Sequence, residues 1–236
     1  MHRFLVPDLV ESRRIIGDDN QHLFKVLRLR AGVKIEVFDG KGKQFLAELE
    51  KAGPTESSFS VIEELPSREP VCRVVLYQGI PAKTEKMELI IQKCTEIGIH
   101  AIVPVMMERC TNRKGYDENR ISRFQKIAAE AAKQCGRAVI PQVRQTVRLA
   151  DVLSSVNSSF LMPYEEGGLS LRSVLPKEGN LSVLIGPEGG IAPEEAEEMI
   201  SRGAVKIGFG PRIFRTETAG IAALSMILLL QGDMEA

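Results

Sequence analysis

Residues 1–65 alternate short apolar runs of strand length with polar turns. The turn at residues 39–42, Asp-Gly-Lys-Gly, is typical of a β-hairpin. One helical pattern interrupts the strands: it begins at Asp18 or Asp19 and continues to Arg30, and Gly32 ends it. Because a closed sheet protects the edges of many short strands, the pattern predicts a small β-barrel. The predicted strands cover residues 4–6, 33–38, 44–50 and 59–62.

From residue 71 the pattern changes to strand-length apolar runs that alternate with amphipathic helices. This alternation predicts an α/β domain with a mostly parallel sheet and helices on both of its faces. Residues 66–70, which begin and end with proline, form the predicted linker. We therefore expect a β-barrel domain over residues 1–67 and an α/β domain over residues 71–236. The predicted strands of the second domain are 71–78, 99–105, 159–164, 181–185 and 204–207, and its helices are 84–97, 117–135, 169–175, 193–202 and 218–230.

Charged residues are distributed unevenly, although the formal net charge of the 236 residues is +0. Residues 71–150 contain 14 basic and 7 acidic groups, whereas residues 151–236 contain 6 and 12. An excess of cations in one segment favours a polyanionic partner such as nucleic acid. A solvated helix face explains the same charges equally well, so charge alone leaves both interpretations open.

The cysteines and the apolar runs indicate a cytoplasmic protein without a metal site. Cys72, Cys94, Cys110 and Cys135 show no CxxC spacing, and none lies beside a histidine in a zinc pattern. The N-terminal residues lack the apolar core of a signal peptide. The longest apolar run, residues 221–230, is much shorter than the ~20 residues that a bilayer span requires. We therefore expect reduced thiols and no membrane partner.

Two glycine-rich loops follow predicted strands, at residues 186–190 and 208–210. In open α/β sheets ligands bind at the carboxyl ends of strands, and glycines let a ligand approach the backbone. Glu188 and the four glutamates that follow Pro193 make the first loop unfavourable for a phosphate group. The loops therefore favour a cationic or zwitterionic ligand that carries a nucleoside.

Several enzyme classes are excluded because their motifs are missing from the sequence. There is no GxxxxGK[ST], and residues 208–213 lack the third glycine of a dinucleotide fingerprint, which excludes kinases, ATPases and dehydrogenases. There is no GxSxG, and His2, His22 and His100 lie outside the glycine loops, which excludes a serine hydrolase.

Arg212, Arg215 and Glu217 concentrate charge between the second glycine loop and an apolar helix. An ion-pair cluster that fixes the loop would explain them, but so many polar groups beside glycines favour a binding site. The apolar residues 221–230 must be buried on most sides. Their pattern favours an ordinary core helix over a helix at a dimer interface.

Five spaced motifs give the chain a specific resemblance to a known family. GPEGG and GFGPRIFRTETA are similar to the C-terminal motifs of the SPOUT-class methyltransferases. Three further motifs precede these in the chain: MHRF, HLFKVLRLRAG and EAAKQCGR. With all five, the chain resembles the RsmE family, which methylates N3 of a uridine in 16S ribosomal RNA. Phe209 and Phe214 depart from the family pattern, which more often has leucine there, but both positions stay apolar. The motifs lie at residues 1–4 (MHRF), 22–32 (HLFKVLRLRAG), 130–137 (EAAKQCGR), 186–190 (GPEGG) and 208–219 (GFGPRIFRTETA).

The resemblance implies a PUA-like RNA-binding β-barrel and a SPOUT α/β domain with a deep trefoil knot. It also implies a homodimer that binds S-adenosylmethionine within the knot, without a metal. The cofactor contacts that it implies fall on Met162, Pro163, Tyr164, Ile185, Gly186, Pro187, Glu188, Gly189, Phe209, Gly210, Arg212, Ile213, Phe214 and Thr218.

Methyl transfer to N3 of uridine requires loss of the N3 proton, and Glu217 is our hypothesis for the base. Arg215 is the candidate to stabilise charge on the uracil oxygens, while a purely structural role for Glu217 stays open. For RNA we expect a positive surface formed by Arg3, His22, Arg28, Arg109, Arg113, Lys114, Lys133, Gln134 and Arg137. The alternatives are a SPOUT enzyme that acts on a ribose 2′-hydroxyl and a non-catalytic RNA-binding protein.

Overall fold

The computed structural model describes residues 1–9, 11–156, 159–176 and 179–234, which form two compact units. Unit 1 comprises Met1–Glu69 with Ala129–Ile140, and unit 2 comprises Pro70–Ala128 with Pro141–Ala236. The sequence places Ala129–Ile140 in the second domain, whereas the structure groups this segment with unit 1. The reason is that Arg137, Ala138 and Val139, within this segment, form hydrogen bonds with Glu69 of unit 1.

Unit 1 is built on a barrel-like sheet whose strand order is β1-β3-β4-β5-β2. β1 pairs with β3 in parallel, and the other pairings are antiparallel. The backbone N–H groups of Lys41, Gly42 and Lys43 donate to one carboxylate oxygen of Asp39, which explains the predicted hairpin turn. The strands are β1 (Arg3–Leu5), β2 (Arg14–Ile16), β3 (Lys34–Phe38), β4 (Gln44–Lys51) and β5 (Glu56–Glu64).

The helix of unit 1 is shorter and less regular than the sequence predicts. α1 (Gly17–Gln21) continues into one π-helical turn, His22–Val26, and the helix does not reach Arg30. Two residues after the π turn, Arg28 adopts a left-handed backbone with φ of 52°. This conformation is costly for a residue with a side chain, so packing in unit 1 must hold it in place.

Unit 2 is built on a sheet whose strand order is β11-β13-β10-β12-β6-β7-β8, with β9 also paired to β7. All of these pairings are parallel, as the alternation of strands and helices predicts. β8, β9 and β11 are not predicted from the sequence because two residues are too short to show a period. The strands are β6 (Val74–Gly79), β7 (Ala101–Met106), β8 (Gln142–Val143), β9 (Val147–Arg148), β10 (Phe160–Pro163), β11 (Leu169–Ser170), β12 (Leu181–Ile185) and β13 (Val205–Gly208).

The five helices predicted in unit 2 are present, with ends shifted by at most two residues, whereas the helix Leu149–Val152 and the 3₁₀ turn after it are not predicted. α2 (Thr84–Ile97) has the predicted bounds, because Met87, Ile90, Ile91 and Cys94 repeat at helical spacing and are buried. The remaining helices are α3 (Glu118–Cys135), α4 (Leu149–Val152), a 3₁₀ turn at Leu153–Ser155, α5 (Leu171–Val174), α6 (Pro193–Ser201) and α7 (Thr216–Leu230). The last turns of α3 fall in unit 1. Among the described residues, no helix is long and apolar enough to cross a membrane.

The strand order places β10 between β12 and β13. The carboxyl ends of these three neighbouring parallel strands therefore lie side by side. The glycine loops follow β12 and β13, so the sheet topology brings both loops to one edge of unit 2. The trefoil knot implied by the resemblance stays a prediction.

Candidate functional site

A cavity of about 510 Å³ lies in unit 2 at the carboxyl ends of β12, β10 and β13. Both glycine loops contribute to its wall, together with the residues that follow β10. Its lining consists of Lys86, Pro163, Tyr164, Glu165, Ile185, Gly186, Pro187, Glu188, Gly189, Gly190, Ile191, Phe209, Gly210, Arg212, Ile213, Phe214, Arg215, Thr216 and Ala219.

The first glycine loop is compact because its backbone leaves little space for side chains. Gly190 donates its N–H to the carbonyl of Pro187 at 2.9 Å and has φ of 73°. A Cβ on Gly186 would lie 2.9 Å from Cγ1 of Ile191. The glycines therefore keep the loop folded tightly beside the cavity, with its backbone on the wall.

The end of β6 passes directly against this loop. A Cβ on Gly79 would lie 2.6 Å from the backbone nitrogen of Pro187, a distance that real Cβ atoms essentially never show. Gly79 is thus required by the close approach of two backbones, and its role was not predicted from the sequence.

A chain of buried hydrogen bonds connects β6, α7 and the first loop. Gln78 donates from Nε2 to Oγ1 of Thr216 at 2.9 Å, and Thr216 donates to the carbonyl of Gly186 at 2.7 Å. Gln78 is 0% exposed and Thr216 is 5% exposed. Thr216 therefore fixes the start of α7 to the first glycine loop. The sequence favoured Thr218, which is exposed and two residues further along α7.

The second loop supplies aromatic and cationic groups to the cavity. The rings of Phe209 and Phe214 lie with centroids 6.0 Å apart and are tilted by 33°. On the β10 side, Nζ of Lys206 lies 4.4 Å from the centroid of the Tyr164 ring. Arg215 is exposed and is the N-cap residue of α7. The cavity thus combines planar apolar faces with backbone groups and charged side chains.

Lys86 and Glu188 line the cavity, and Lys86 also contacts Glu217, which is not among the lining residues. Lys86, in the first turn of α2, donates to Oε1 of Glu188 at 2.9 Å and lies 3.2 Å from Oε2 of Glu217. Lys86 was not predicted as a site residue. The sequence places Lys86 at the start of the helix after β6, but only the pairing of β6 with β12 brings that helix start to the acidic loop.

Most of the predicted cofactor residues line the cavity, and two do not. Met162 is 0% exposed and belongs to the core cluster of unit 2, because side chains alternate along β10. Thr218 is exposed and is not a lining residue, whereas Thr216 is. The lining residues that sequence reasoning missed are Lys86, Glu165, Gly190, Ile191, Thr216 and Ala219.

Burial disfavours the reactive thiolate form of the cysteines. The described part of the chain also forms no metal site. Burial raises the pKa of Cys94 to about 12, and it also raises the pKa of Cys110 and of Cys135. Among the described residues, no group of three His, Cys, Asp or Glu side chains is placed to hold a metal ion.

Two of the predicted RNA-binding residues are buried in unit 1. The Arg137 side chain is 6% exposed and donates twice to one carboxylate oxygen of Glu69, at 2.9 and 2.7 Å. Glu69 accepts from the N–H groups of Ala138 and Val139 with its other oxygen. The Arg3 side chain is 7% exposed and donates to the carbonyl of Arg137. These two arginines hold unit 1 together and do not present the exposed charge that the hypothesis required.

The other predicted residues of unit 1 differ in how far their charge is engaged. His22, Arg28 and Gln134 are exposed. Lys133 donates to Asp19 at 2.6 Å and to Glu130 at 3.0 Å. Burial acts to lower the pKa of Lys133, but the hydrogen bonds and charges of Asp19 and Glu130 together outweigh it and raise that pKa.

The predicted RNA-binding residues of unit 2 lie on the loop between β7 and α3. Arg113 and Lys114 are exposed. Arg109 is exposed as well, and its Nη1 donates to the carbonyl of Gly189 at 3.0 Å. This loop therefore contacts the first glycine loop through Arg109.

Known RNA methyltransferases are similar to this chain along most of its length. A family model for an RNA methyltransferase domain matches residues 67–228, and one for an RNA methyltransferase PUA domain matches residues 15–62. Ribosomal RNA small subunit methyltransferase E of Bacillus subtilis is 34% identical, over 93% of this chain and 92% of the relative. The chain belongs to the ribosomal RNA small subunit methyltransferase E family.

Solved structures of the methyltransferase E family and its relatives have the same fold. The enzyme from Neisseria gonorrhoeae, crystallised with S-adenosyl methionine, has a TM-score of 0.87 at 30% identity, with 98% of both chains covered. A methyltransferase from Legionella pneumophila, also with bound cofactor, has a TM-score of 0.84 at 30% identity, with 96% of both chains covered. The predicted combination of a PUA-like β-barrel with an α/β methyltransferase domain is thereby confirmed.

Proposed function

We propose that this methyltransferase E family member transfers a methyl group from S-adenosylmethionine to N3 of a uridine in 16S ribosomal RNA of the small subunit. The observation that carries the proposal is the cavity at the carboxyl ends of β12, β10 and β13, enclosed by both glycine loops. Support comes from the relatives, which are named as small subunit methyltransferases, and from the Neisseria gonorrhoeae enzyme with its bound S-adenosyl methionine.

The residues of the cavity fit this cofactor. Its volume of about 510 Å³ lies in the range of small-molecule sites, which is about 300 to 1,000 Å³. Gly186, Gly189 and Gly210 have no side chains and would let the adenosine of the cofactor approach the loop backbone. The rings of Phe209 and Phe214 would cover apolar parts of the cofactor. When bound, S-adenosylmethionine supplies a methyl group on a positively charged sulfur.

Glu217 and Arg215 are the residues that we assign to the uracil. The N3 proton must leave before the nitrogen can accept a methyl group, and Glu217 is proposed to take it. Arg215 lines the cavity and is exposed, so its guanidinium would stabilise negative charge on the uracil oxygens. Because Lys86 lies 3.2 Å from Glu217, the carboxylate must give up part of this ion pair to accept the proton.

We propose that RNA contacts exposed polar and cationic side chains in each unit. His22, Arg28 and Gln134 would contribute from unit 1, and Arg109, Arg113 and Lys114 from unit 2. Arg3 and Arg137 are left out because they are buried, and Lys133 is engaged by two acids. The left-handed backbone of Arg28 supports its inclusion, since strained residues are concentrated at functional sites.

A homodimer and a cytoplasmic location complete the proposal. α7 buries Ala223, Leu224, Ile227 and Leu228, whereas Leu229 is 52% exposed at its end. Apolar surface of this kind is compatible with a subunit interface. Size-exclusion chromatography with light scattering tests the mass. A ribosomal RNA substrate would place the protein in the cytoplasm.

The decisive experiment is methylation of small ribosomal subunits from cells that lack the endogenous activity. We expect the purified protein and S-adenosylmethionine to produce 3-methyluridine, identified by mass spectrometry of the digested RNA. A 2′-O-methylated nucleoside would instead indicate the ribose-methylating alternative. Absence of S-adenosylmethionine binding in calorimetric titration, with retained RNA binding, would indicate a non-catalytic RNA-binding protein.

A further inference from the structure

Lys86, Glu188 and Glu217 form a bridge at the edge of the cavity, here called the Lys86 bridge. Lys86 belongs to the first turn of α2, Glu188 to the first glycine loop and Glu217 to the first turn of α7. Nζ of Lys86 lies 2.9 Å from Glu188 and 3.2 Å from Glu217. One ammonium group thus joins three separate segments of unit 2.

The two carboxylates depend on this lysine to different degrees. Glu188 also accepts the backbone N–H of Ala82 at 3.0 Å. Oε2 of Glu217 is buried and, among the described residues, accepts no hydrogen bond of good geometry, so its contact with Lys86 is ionic. The Glu217 side chain is 15% exposed. Removal of the lysine would leave two neighbouring acids without their shared cation, one of them mostly buried.

Within the bridge, Lys86 and Glu188 favour each other's charged form. The hydrogen bond to Glu188 raises the pKa of Lys86 despite partial burial, and the contact with Glu217 adds to this effect. Burial acts to raise the pKa of Glu188, but the hydrogen bonds from Lys86 and from backbone N–H groups, together with the charge of Lys86, outweigh it and lower that pKa. Lys86 therefore stays an ammonium group, which excludes it as the base for the N3 proton.

We propose that Lys86 is a positioning residue, whose ammonium group holds the first glycine loop and the start of α7 in the arrangement that binds the cofactor. This inference rests on the proposed function. The lysine neutralises one of two adjacent carboxylates, so both can remain ionised and in place. It thereby sets the spacing of the two loops and leaves one net negative charge beside a ligand that carries a positive sulfur.

The test is the affinity for S-adenosylmethionine, measured by titration calorimetry across pH in the full-length protein. Lys86→Met is expected to weaken binding about tenfold, because the loops lose a shared, partly buried ion pair. Its affinity should recover in part as the pH is lowered, since protonation of one of two unneutralised carboxylates relieves their repulsion. Lys86→Arg keeps the charge and should restore most of the affinity and the flat pH profile.

Two further variants separate charge from packing. Lys83→Met changes an exposed lysine at the N-cap of the same helix and should bind the cofactor as the unchanged protein does. Glu188→Gln in the Lys86→Met background removes one opposing carboxylate, so it should recover part of the lost affinity and flatten the pH profile. A double variant no better than Lys86→Met, or failure of Lys86→Arg to restore binding, would overturn the proposal.

The outcomes distinguish this inference from the proposed function. If the unchanged protein does not bind S-adenosylmethionine, the proposed function fails. If it binds and Lys86→Met binds within twofold with the same pH profile, the positioning role alone is wrong. Should Lys86→Met fail to fold, the Lys86→Met/Glu188→Gln variant replaces it in the titration, and unfolding of that variant too would count against the proposal.

Discussion

The sequence predicts ligand binding both for the glycine loops of unit 2 and for Arg3 and Arg137 of unit 1. The structure places the glycine loops around a cavity but buries the side chains of the two arginines. In unit 2 the glycine loops lie at adjacent strand ends and line a cavity. In unit 1, Arg3 and Arg137 are covered by their own neighbours, Gln44 and Glu69 among them.

The difference shows which sequence features specify a site. A glycine after a buried strand records a local backbone requirement, which holds wherever the strand lies in the fold. An arginine records only a charge, and its use depends on residues that are distant in the sequence. Glu69 and Arg137 are 68 positions apart, and their pairing decides whether that charge is available to RNA.

The largest expected effect concerns the stability of unit 1. Arg137→Ala leaves the mostly buried Glu69 carboxylate without its cation and should cost about 3–5 kcal/mol of unfolding free energy. Arg14→Ala removes a pair with Glu56 in which the side chains are 63% and 53% exposed, and should cost about 0–1 kcal/mol. Urea unfolding measures both. Equal losses would show that burial does not separate the two pairs.

The second largest effect is expected where the backbone of Gly79, at the end of β6, approaches Pro187 in the first glycine loop. Gly79→Ala places a Cβ 2.6 Å from the nitrogen of Pro187, so the first loop must shift, and binding of S-adenosylmethionine should weaken at least about tenfold. Gly232→Ala is the control: its φ is 82°, and a Cβ there meets no described atom within 4 Å. The control should lose about 1 kcal/mol of stability through strain and keep its cofactor affinity.

Thr216 and Thr218 sharpen the comparison within one helix. Thr216→Val removes a buried donor and acceptor, so about 1–3 kcal/mol of stability and several-fold of cofactor affinity should be lost. Thr218→Val changes an exposed hydroxyl and should stay within about 0.5 kcal/mol. Thermal unfolding and calorimetry decide between them. A larger loss of cofactor affinity for Thr218→Val than for Thr216→Val would support Thr218, the residue that the sequence motif implies, as the cofactor contact.

The smallest effect concerns the exposed cations. If Arg113 and Lys114 contact phosphates, each alanine variant should reduce the slope of log affinity against log salt by about 1. Arg202→Ala, which removes an exposed arginine paired with Glu198 on α6, should leave the slope unchanged. Binding to ribosomal RNA at several salt concentrations provides the measurement. Unchanged slopes for both variants would remove the β7–α3 loop from the proposed surface.

The sequence predicted the elements whose pattern is local and repeated. α2 and β12 have their predicted bounds, because their apolar residues follow helical and strand periods over enough positions. β2 was missed because its apolar run, residues 15–16, has only two residues, whereas the run that predicts β1 has three. The helix predicted to reach Arg30 ends earlier, because the backbone widens into a π turn at His22–Val26. No pattern of residues in the sequence predicts this turn.

The parts of the site that the sequence did not reveal depend on contacts between distant segments. The order β10 between β12 and β13 is a property of the whole sheet, and it decides that Tyr164 joins both glycine loops. Lys86 reaches the cavity because α2 follows β6, which pairs with β12. Neither relation can be obtained from the spacing of residues along the chain.

Unit 1 is assembled from two stretches of polypeptide, Met1–Glu69 and Ala129–Ile140, which lie on either side of a portion of unit 2 in the sequence. A protein truncated after residue 69 would lose the partners of Glu69 and Asp19, so the PUA-like half cannot be excised or grafted as one continuous cassette. Any exchange of this half between relatives must therefore transfer both stretches together.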